Sequence, residues 1–555
     1  MKDSCFMIQR PIGGGGNAAS AMFNGAASPL IVRRTAAIGD ALCATVIADK
    51  LISMGYEVAF QSHINIHCVL RRHPKLFALS TPGGFCHVDL DGTYEGDPDR
   101  RLKSFHQMFY EAANSQLMAR GLQVGQPRNC RPRIVVRRNE REAVQTAFAQ
   151  YPKPWIFICP RSDAYACRQV PDGIWSVAAG KMHGTKFWIG RHPAPAGIVD
   201  MRAQHLDNVI VWLSAADILV TVDTGPMHIA AALGVPIVAI SQSSSPDQHL
   251  NDQNDFISVA PPLDCLNCQK NICPINQFLP PCQNISPDLV ADWTNARCRS
   301  ISGNDVSAII PIYQPEAKTL NQCLECVLPQ VQEVIVTAEA NSRIPDGAMK
   351  HDRIRYVRKP EPKIGYGRNV NFGARHSNGR YLLLLNDDIF LDPGAVDAMK
   401  SEMVPQVGLV AHLLRYPDGT IYHAGKRRAP GQRGWGHIDY RKHLPTITEP
   451  TEMENVCGAS VLVDRRAFYD IGGFDEDFFI YAEDDDFCLR MRRAGYRIVY
   501  TPRASGVHLE HQSTQKLGSI QDIVNSANRL FTEKWAAYLD WNAQRVPGNF
   551  DYLKA

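Results

Sequence analysis

The chain has 555 residues, of which 45% are apolar and 21% charged. At roughly 100–200 residues per domain this length predicts about three to four folding units, and the apolar content excludes a mostly disordered chain. Lys and Arg number 59 against 56 Asp and Glu, a formal charge of +3, which argues against chain-wide electrostatic binding of nucleic acid.

No window approaches the ~18 apolar residues that a membrane span needs. The N-terminus, MKDSCFMIQRPIGGGGNAAS, lacks the positive-then-apolar order of a secretory signal, and residues 1–28 read as a flexible leader. Sixteen cysteines scattered along the chain resemble reduced cytosolic usage more than a disulfide framework. The expectation is a soluble, cytoplasmic protein.

LIVRRTAAIGDAL reads as a strand broken at Gly39 and followed by the amphipathic helix ATVIADKLISMG, the opening of an α/β unit. The helical RRNEREAVQTAFAQ then leads into a Pro-rich break, YPKPW. From Trp155 onward WIFICP, TKFWIG, NVIVWL, ILVTVD and PIVAIS read as buried strands, their continuous apolar character suiting a parallel sheet covered on both faces. This predicts two α/β halves, 29–150 and 151–298, with a ligand cleft between them. A polar linker at 299–305 precedes a fresh start at SAIIPIYQP. EVIVTAEA, RIRYVRKP and RYLLLLNDDIFL follow as strands of a module spanning 306–517, and 518–555 reads as a helical tail with Trp535, Tyr538 and Trp541.

In VTVDTGPMHIAAALG a strand ends at Asp223, Thr224–Gly225–Pro226 turn, and a helix begins near His228. Outward N–H groups and the helix dipole at such a start favour a phosphate, with Thr224 and His228 as further donors; Asp223 or Thr224 could equally be a plain helix cap. Together with IVRRTAAIGDAL, ICPRSDAYACRQVPDGIW and DNVIVWLSAADILVTVDTG in the same order, this stretch resembles the family-9 glycosyltransferases, the ADP-heptose:lipopolysaccharide heptosyltransferase group, over about residues 29–298. The resemblance implies a GT-B module of two Rossmann-like halves that needs no metal. It makes Asp40 the base that deprotonates the acceptor, places Asp223, Thr224, Gly225 and His228 on the donor diphosphate, and sets Arg168 in place of the family's lysine at the leaving phosphate. Two departures leave room for a domain that binds without turning over: no Trp precedes Pro171, and FWIGRHPAPAG lacks the glutamate that often follows its glycine. Cys265, Cys268, Cys273 and Cys282 form C-x2-C-x4-C-x8-C, a spacing compatible with structural zinc, although packed thiols are the default reading.

RYLLLLNDDIFL delivers Asn386, Asp387 and Asp388 to a strand end, where carboxylates suit a hard divalent cation or merely a solvated turn. Glu483–Asp486 are four consecutive acids between FFIY and the helical FCLRMRRAGY, more than a helix start alone calls for. SAIIPIYQP, NFGARHSNGRYLLLLNDD, GGFDEDFFIYAEDDDFCLR and an H-x4-S ending at His508 resemble family-2 glycosyltransferases of the GT-A fold, especially the rhamnosyltransferase-like branch, over about residues 305–515. The resemblance implies Mg²⁺ or Mn²⁺ on Asp388 with Asp387 supporting it, and Asp484 as catalytic base. His508 becomes a second metal or diphosphate ligand with His511 in reserve, and Pro311, Tyr313 and Glu339 border the nucleotide base. Thr337-Ala338-Glu339-Ala340 departs from the Asp-Asp or Asp-Asn that the family usually carries after the second strand.

The combined expectation is a bifunctional inverting glycosyltransferase that takes nucleotide-sugar donors and extends a glycan or lipid-linked glycan such as lipopolysaccharide or capsule. A lipid-linked acceptor leaves peripheral membrane association open. Two alternatives remain: an N-terminal domain that only binds, and transfer to modified DNA bases using the Arg-rich patches RRNER, KRRAPGQRGWGH and RMRRAGYR, against which the small net charge speaks.

Overall fold

The computed structural model describes residues 29–543, apart from 36, 102, 128–130, 163–166, 203–204, 271, 303–304, 363–364, 429–433 and 510–519. The expected leader, the reserve ligand His511 and the end of the tail lie outside the described residues.

The first sheet is four parallel strands in the order Ala78–Ser80, Val58–Gln61, Leu30–Arg33, Val88–Asp89. Helix Ile38–Ser53 packs beside it through the small residues Ala41, Ala44 and Ala48, which allow close approach of helix Phe105–Met118.

The second sheet has six parallel strands in the order Phe256–Val259, Ile237–Ile240, Ile218–Val222, Trp155–Cys159, Thr185–Trp188, Val199–Asp200. Its central strands are buried on both faces, and period-two alternation divides them between two cores. Trp155, Phe157 and Cys159 meet helices Leu206–Ala215 and Gly225–Ala232, whereas Ile156 and Ile158 meet helices Asp172–Lys181 and Pro287–Ser302. Helix Arg138–Phe148 joins this unit as well, since Phe148 stacks on Phe187 with ring centroids 5.0 Å apart.

One expected strand is a helix. NVIVWL lies in helix Leu206–Ala215, where the His205 side chain accepts from the Asp207 N–H and Val209, Ile210 and Leu213 bury one face. A short apolar run does not declare its period, and here capping and the neighbouring helices settle it.

The third sheet is mixed and has ten strands. Ile354–Arg358, Glu333–Ala338, Val306–Ile312 and Tyr381–Leu385 run parallel; Ser460–Asp464 is antiparallel to the last of these. Val407–Arg415 then pairs with Arg497–His508, which in turn carries Ile389–Leu391 at the edge. Helix Ile520–Ala543 docks Phe531, Trp535 and Leu539 against Phe478 and Leu489. The α/β class is as expected: two parallel Rossmann-like sheets in a GT-B-like arrangement, then a GT-A-like mixed sheet. Helix Pro287–Ser302 extends into the stretch read as a linker. Among the described residues no helix is long and apolar enough to cross a membrane.

Two candidate active sites

The first site lies where the starts of two helices meet. Gly39 in the first turn of Ile38–Ser53 packs so closely on His228 that an added Cβ would fall 2.4 Å from the imidazole. A Cβ on Gly225 would likewise sit 3.0 Å from Ile38. Small residues at both positions therefore bring Asp40 up to the DTGPMH helix. Asp40 Oδ2 accepts from Arg34 Nη2 at 2.9 Å, and Arg34 also donates to Glu95 and to the Leu90 carbonyl. Burial works against the Arg34 charge, but Asp40 and Glu95 outweigh it and hold the guanidinium pKa above its usual value.

Asp223 is buried and surrounded by donors. Arg168 Nη1 lies 2.8 Å from Oδ2, Ser244 Oγ donates at 2.6 Å, and His228 Nε2 and His249 Nε2 stand 3.5 and 3.4 Å from its two oxygens. Burial pulls this carboxyl upward, yet His249, Arg168 and His228 prevail and hold it well below the usual carboxylate range. Thr224 is the N-cap of helix Gly225–Ala232 without a side-chain cap bond, so its hydroxyl is not spent on the helix N–H groups. Beside Arg168 a cavity of about 400 Å³ opens between the two sheets, lined by Tyr94, Glu95 and Arg100 on one side and Gln269 and Lys270 on the other. His249, from the loop SSSPDQHL, carried no sequence signal, because nothing in its spacing ties it to Asp223.

Among the described residues the only group of three His, Cys, Asp or Glu side chains with ligand atoms within 4.8 Å of one another is Asp223, His228 and His249. Arg168 already serves as counter-ion to that aspartate. No three of the sulfurs of Cys265, Cys268, Cys273 and Cys282 lie within 4.8 Å of one another, although the other three help burial to raise the Cys282 thiol; Cys265 is exposed while Cys273 and Cys282 are buried.

The second site sits at the C-terminal edge of the mixed sheet, where strand Val306–Ile312 pairs on one side with Glu333–Ala338 and on the other with Tyr381–Leu385. Crevices at such points, outside strand carboxyl ends, hold ligands in open α/β sheets. Pro311 is in the first of these strands and Tyr313 just beyond it; buried Glu339 follows the second, and Asp387 and Asp388 follow the third. Asp388 meets His508 across the antiparallel pair Ile389–His508, with His508 Nε2 3.3 Å from Asp388 Oδ1. Both side chains are buried, and neither Asp388 Oδ1 nor His508 Nδ1 has a hydrogen-bond partner. The orphaned Asp388 Oδ1 and the His508 Nε2 facing it fit a shared divalent cation.

The four acids divide into three roles. Asp484 rests over Gly458, whose N–H donates to Oδ2 at 3.2 Å and whose missing Cβ would fall 2.9 Å from Asp484 Cβ. The same turn connects to Asp388 and His508, since Ala459 O accepts from Asn386 N and Cys457 Sγ contacts Tyr422, whose ring packs edge-on against His508 at 4.5 Å. Lys426 Nζ bridges Asp484 Oδ2 at 3.1 Å and Asp485 Oδ1 at 2.7 Å. Burial raises Asp484, but Lys426 outweighs it and holds the group below its usual value; Asp485 is raised by burial and by Asp484. Asp486 instead anchors helix Ile520–Ala543 through Trp535 Nε1 and Lys534, and pairs with Arg490 one turn along its own helix. Tyr481 and Ala482, just before these acids, both adopt left-handed φ, at 72° and 62°. Such strain in non-glycine residues clusters at functional sites.

The comparisons with known proteins fall on these two regions. The family model described as glycosyl transferase family 2 matches residues 307–472, and that of glycosyltransferase family 9 (heptosyltransferase) matches 203–278. Both halves of the chain are glycosyltransferase-like. A further model, the N-terminal domain of galactosyltransferase, matches 440–512. The O-antigen biosynthesis protein RfbC of Myxococcus xanthus is 33% identical over 181 residues, 31% of this chain and 14% of the relative. The N-acetylglucosaminyl-diphospho-decaprenol L-rhamnosyltransferase of Mycobacterium tuberculosis is 32% identical over 148 residues, 24% of this chain and 48% of the relative. The chain thus spans less than half the length of these curated relatives. A family 9 glycosyl transferase structure from Veillonella parvula covers 48% of this chain and 95% of its own, with 16% identity and a TM-score of 0.37.

Glu483 permits a test of the electrostatics of this glycosyltransferase-like site. Its Oε2 is buried without a partner, and burial together with repulsion from Asp484 pushes the carboxyl up to about 8. A folded pKa above the unfolded one gives stability that is whole below the unfolded value near 4.5 and lost as pH rises through 8. Glu483→Gln should therefore melt with the parent at pH 4.5 and above it at pH 8.5. Equal melting temperatures at both would refute a buried, neutral Glu483.

Proposed function

We propose that the chain is a tandem inverting glycosyltransferase that uses nucleotide-sugar donors, with a metal-dependent site in the mixed-sheet module and a metal-independent site between the parallel sheets. The observation that carries this reading is the meeting of Asp388 and His508, 120 positions apart, beside the turn that holds Asp484.

In the C-terminal site the acceptor oxygen bonds to the anomeric carbon as the bond from that carbon to the donor phosphate breaks. Asp484 takes the acceptor's proton and the nucleoside diphosphate leaves with the bonding electrons. Asp388 and His508 would hold the cation, with Asp387 alongside; when bound, it neutralises the diphosphate charge. Pro311, Tyr313 and Glu339 border the nucleotide. In the N-terminal site Asp40, oriented by Arg34, takes the proton, while Thr224, Gly225, His228 and Arg168 receive the leaving diphosphate and Asp223 holds Arg168 and His228 in place. The acceptor is a surface glycan, lipid-linked at some stage, as the O-antigen and decaprenol-linked relatives suggest, and peripheral contact with a membrane would follow from such an acceptor. The working boundaries of the three units are 29–150, 151–298 and 306–517, although helix Arg138–Phe148 packs on the second unit and helix Pro287–Ser302 runs past its limit. Of the Arg-rich patches that could point to DNA, RMRRAGYR is engaged internally: Arg490 pairs with Asp486, and Arg492 and Arg497 with Glu452.

The test is a donor-hydrolysis screen with ADP-, GDP-, UDP-, CMP- and dTDP-sugars, with Mn²⁺ or with EDTA. A Mn²⁺-dependent signal and a separate EDTA-resistant signal are expected, with Asp40→Asn removing only the latter. If Asp40→Asn leaves every transfer intact, the N-terminal half is a binding module. A lack of metal dependence everywhere sinks the C-terminal assignment.

A further inference from the structure

The ion pair that keeps Asp484 charged also opposes its task. A general base must accept a proton, and a carboxylate held by an ammonium gives up basicity tenfold for each pKa unit of depression. Lys426 Nζ lies 3.1 Å from the oxygen of Asp484 that also accepts from Gly458. The other groups around Asp484 supply no competing cation: Glu483 and Asp485 are acids, Cys457 is pushed up to about 11 by burial, and Tyr366, raised by its own burial, donates its hydroxyl to the Gly458 carbonyl. The resting site is thus a neutralised cluster rather than a free base.

Lys426 is placed to leave it. It stands after Gly425, whose φ is +92°, at the start of the small hairpin pairing Lys426–Arg427 with Gly436–His437. Tyr422, four residues earlier, packs on His508. The lysine therefore stands four residues along the chain from a side chain that touches His508, and it carries a compact charge on a flexible four-carbon stem. A diphosphate arriving at Asp388 and His508 brings more negative charge than either carboxylate offers.

We propose that Lys426 is a donor-responsive positioning residue: it leaves Asp484 for the diphosphate oxygens when the nucleotide sugar binds, and so frees the base only in the donor complex. This rests on Asp484 being the C-terminal base. Its consequence is ordered chemistry, in which a site without donor is a poor proton acceptor and acceptor activation waits for the second substrate.

The experiment reads two quantities on the full chain. The first is the acid limb of the pH profile, compared between kcat/KM for the donor, which reports the free enzyme, and kcat, which reports the substrate complex. In the parent the kcat limb should lie at higher pH than the kcat/KM limb; coincident limbs overturn the proposal even if no variant folds. The second is Mn²⁺-dependent binding of inorganic pyrophosphate. Lys426→Met should weaken it by roughly tenfold or more and raise the free-enzyme limb to meet the kcat limb, while Lys426→Arg, which keeps the charge, should retain the affinity. A fixed structural counter-ion would move both limbs together and leave pyrophosphate binding unchanged, and that result also overturns the proposal. Failure of the catalytic assignment is separate, because it would appear as full Mn²⁺-dependent transfer in Asp484→Asn.

Discussion

Asp484→Asn should lower Mn²⁺-dependent transfer by roughly 10²–10⁴-fold, the range for losing a positioned general base, with little change in melting temperature. The amide keeps the shape of the carboxylate and can still accept from the Gly458 N–H, while Lys426 retains Asp485 at 2.7 Å. The fold therefore loses one of two anions on a lysine, but the chemistry loses its proton acceptor. The measurement is kcat for Mn²⁺-dependent transfer beside the EDTA-resistant transfer of the same preparation, which should be untouched. Loss of both activities together would point to a damaged fold, and retention of both would remove Asp484 from the mechanism.

The largest expected effect on stability lies away from either site. Asp255, buried at the start of strand Phe256–Val259, forms an ion pair with Arg297 of helix Pro287–Ser302 and lies 3.8 Å from Arg465 Nη1 of the mixed-sheet module. Burial and mutual repulsion push Arg297 down to about 9, and burial lowers Arg465 as well. Asp255→Ala strands two guanidiniums where water does not reach, and removal of one partner of a buried pair costs about 3–5 kcal/mol. Urea unfolding should show a loss of that size. A change below about 1 kcal/mol would mean that the carbonyls of Ala374, Ser377 and Gly379, which accept from these arginines, suffice to hold them.

Much of the architecture is written in local patterns. Trp155–Cys159 and Tyr381–Leu385 are strands because continuous apolar runs of that length bury both faces of a sheet, and Asp223 and Asp388 stand at strand ends because polar residues stop such runs. NVIVWL reads as a strand yet forms a helix, because apolarity alone does not separate a strand from a buried helical face. The pairings within each site are mostly non-local, and there the sequence is silent. Lys426 sits in a run of basic residues 58 positions before Asp484, where it looks like one more solvated charge. His249 looks like part of a polar loop until the fold sets it on Asp223. Asp486 looks equivalent to Asp484 two residues earlier, yet the helix turns it to the opposite side, against Trp535.

The stretch Ser244–Asp255 touches both sites' surroundings. Ser244 and His249 hold Asp223, while Asp247 and Asp252 pair with Arg375, Asp252 with Lys359, and Asp255 with Arg465. Arg131 adds a fourth side by donating to the carbonyls of Ala231, Ala232 and Tyr469. The second parallel sheet and the mixed sheet are thus welded along a line of charge, and neither has a finished surface of its own. Each of the two modules thus relies on the other to cover ions that it could not bury by itself.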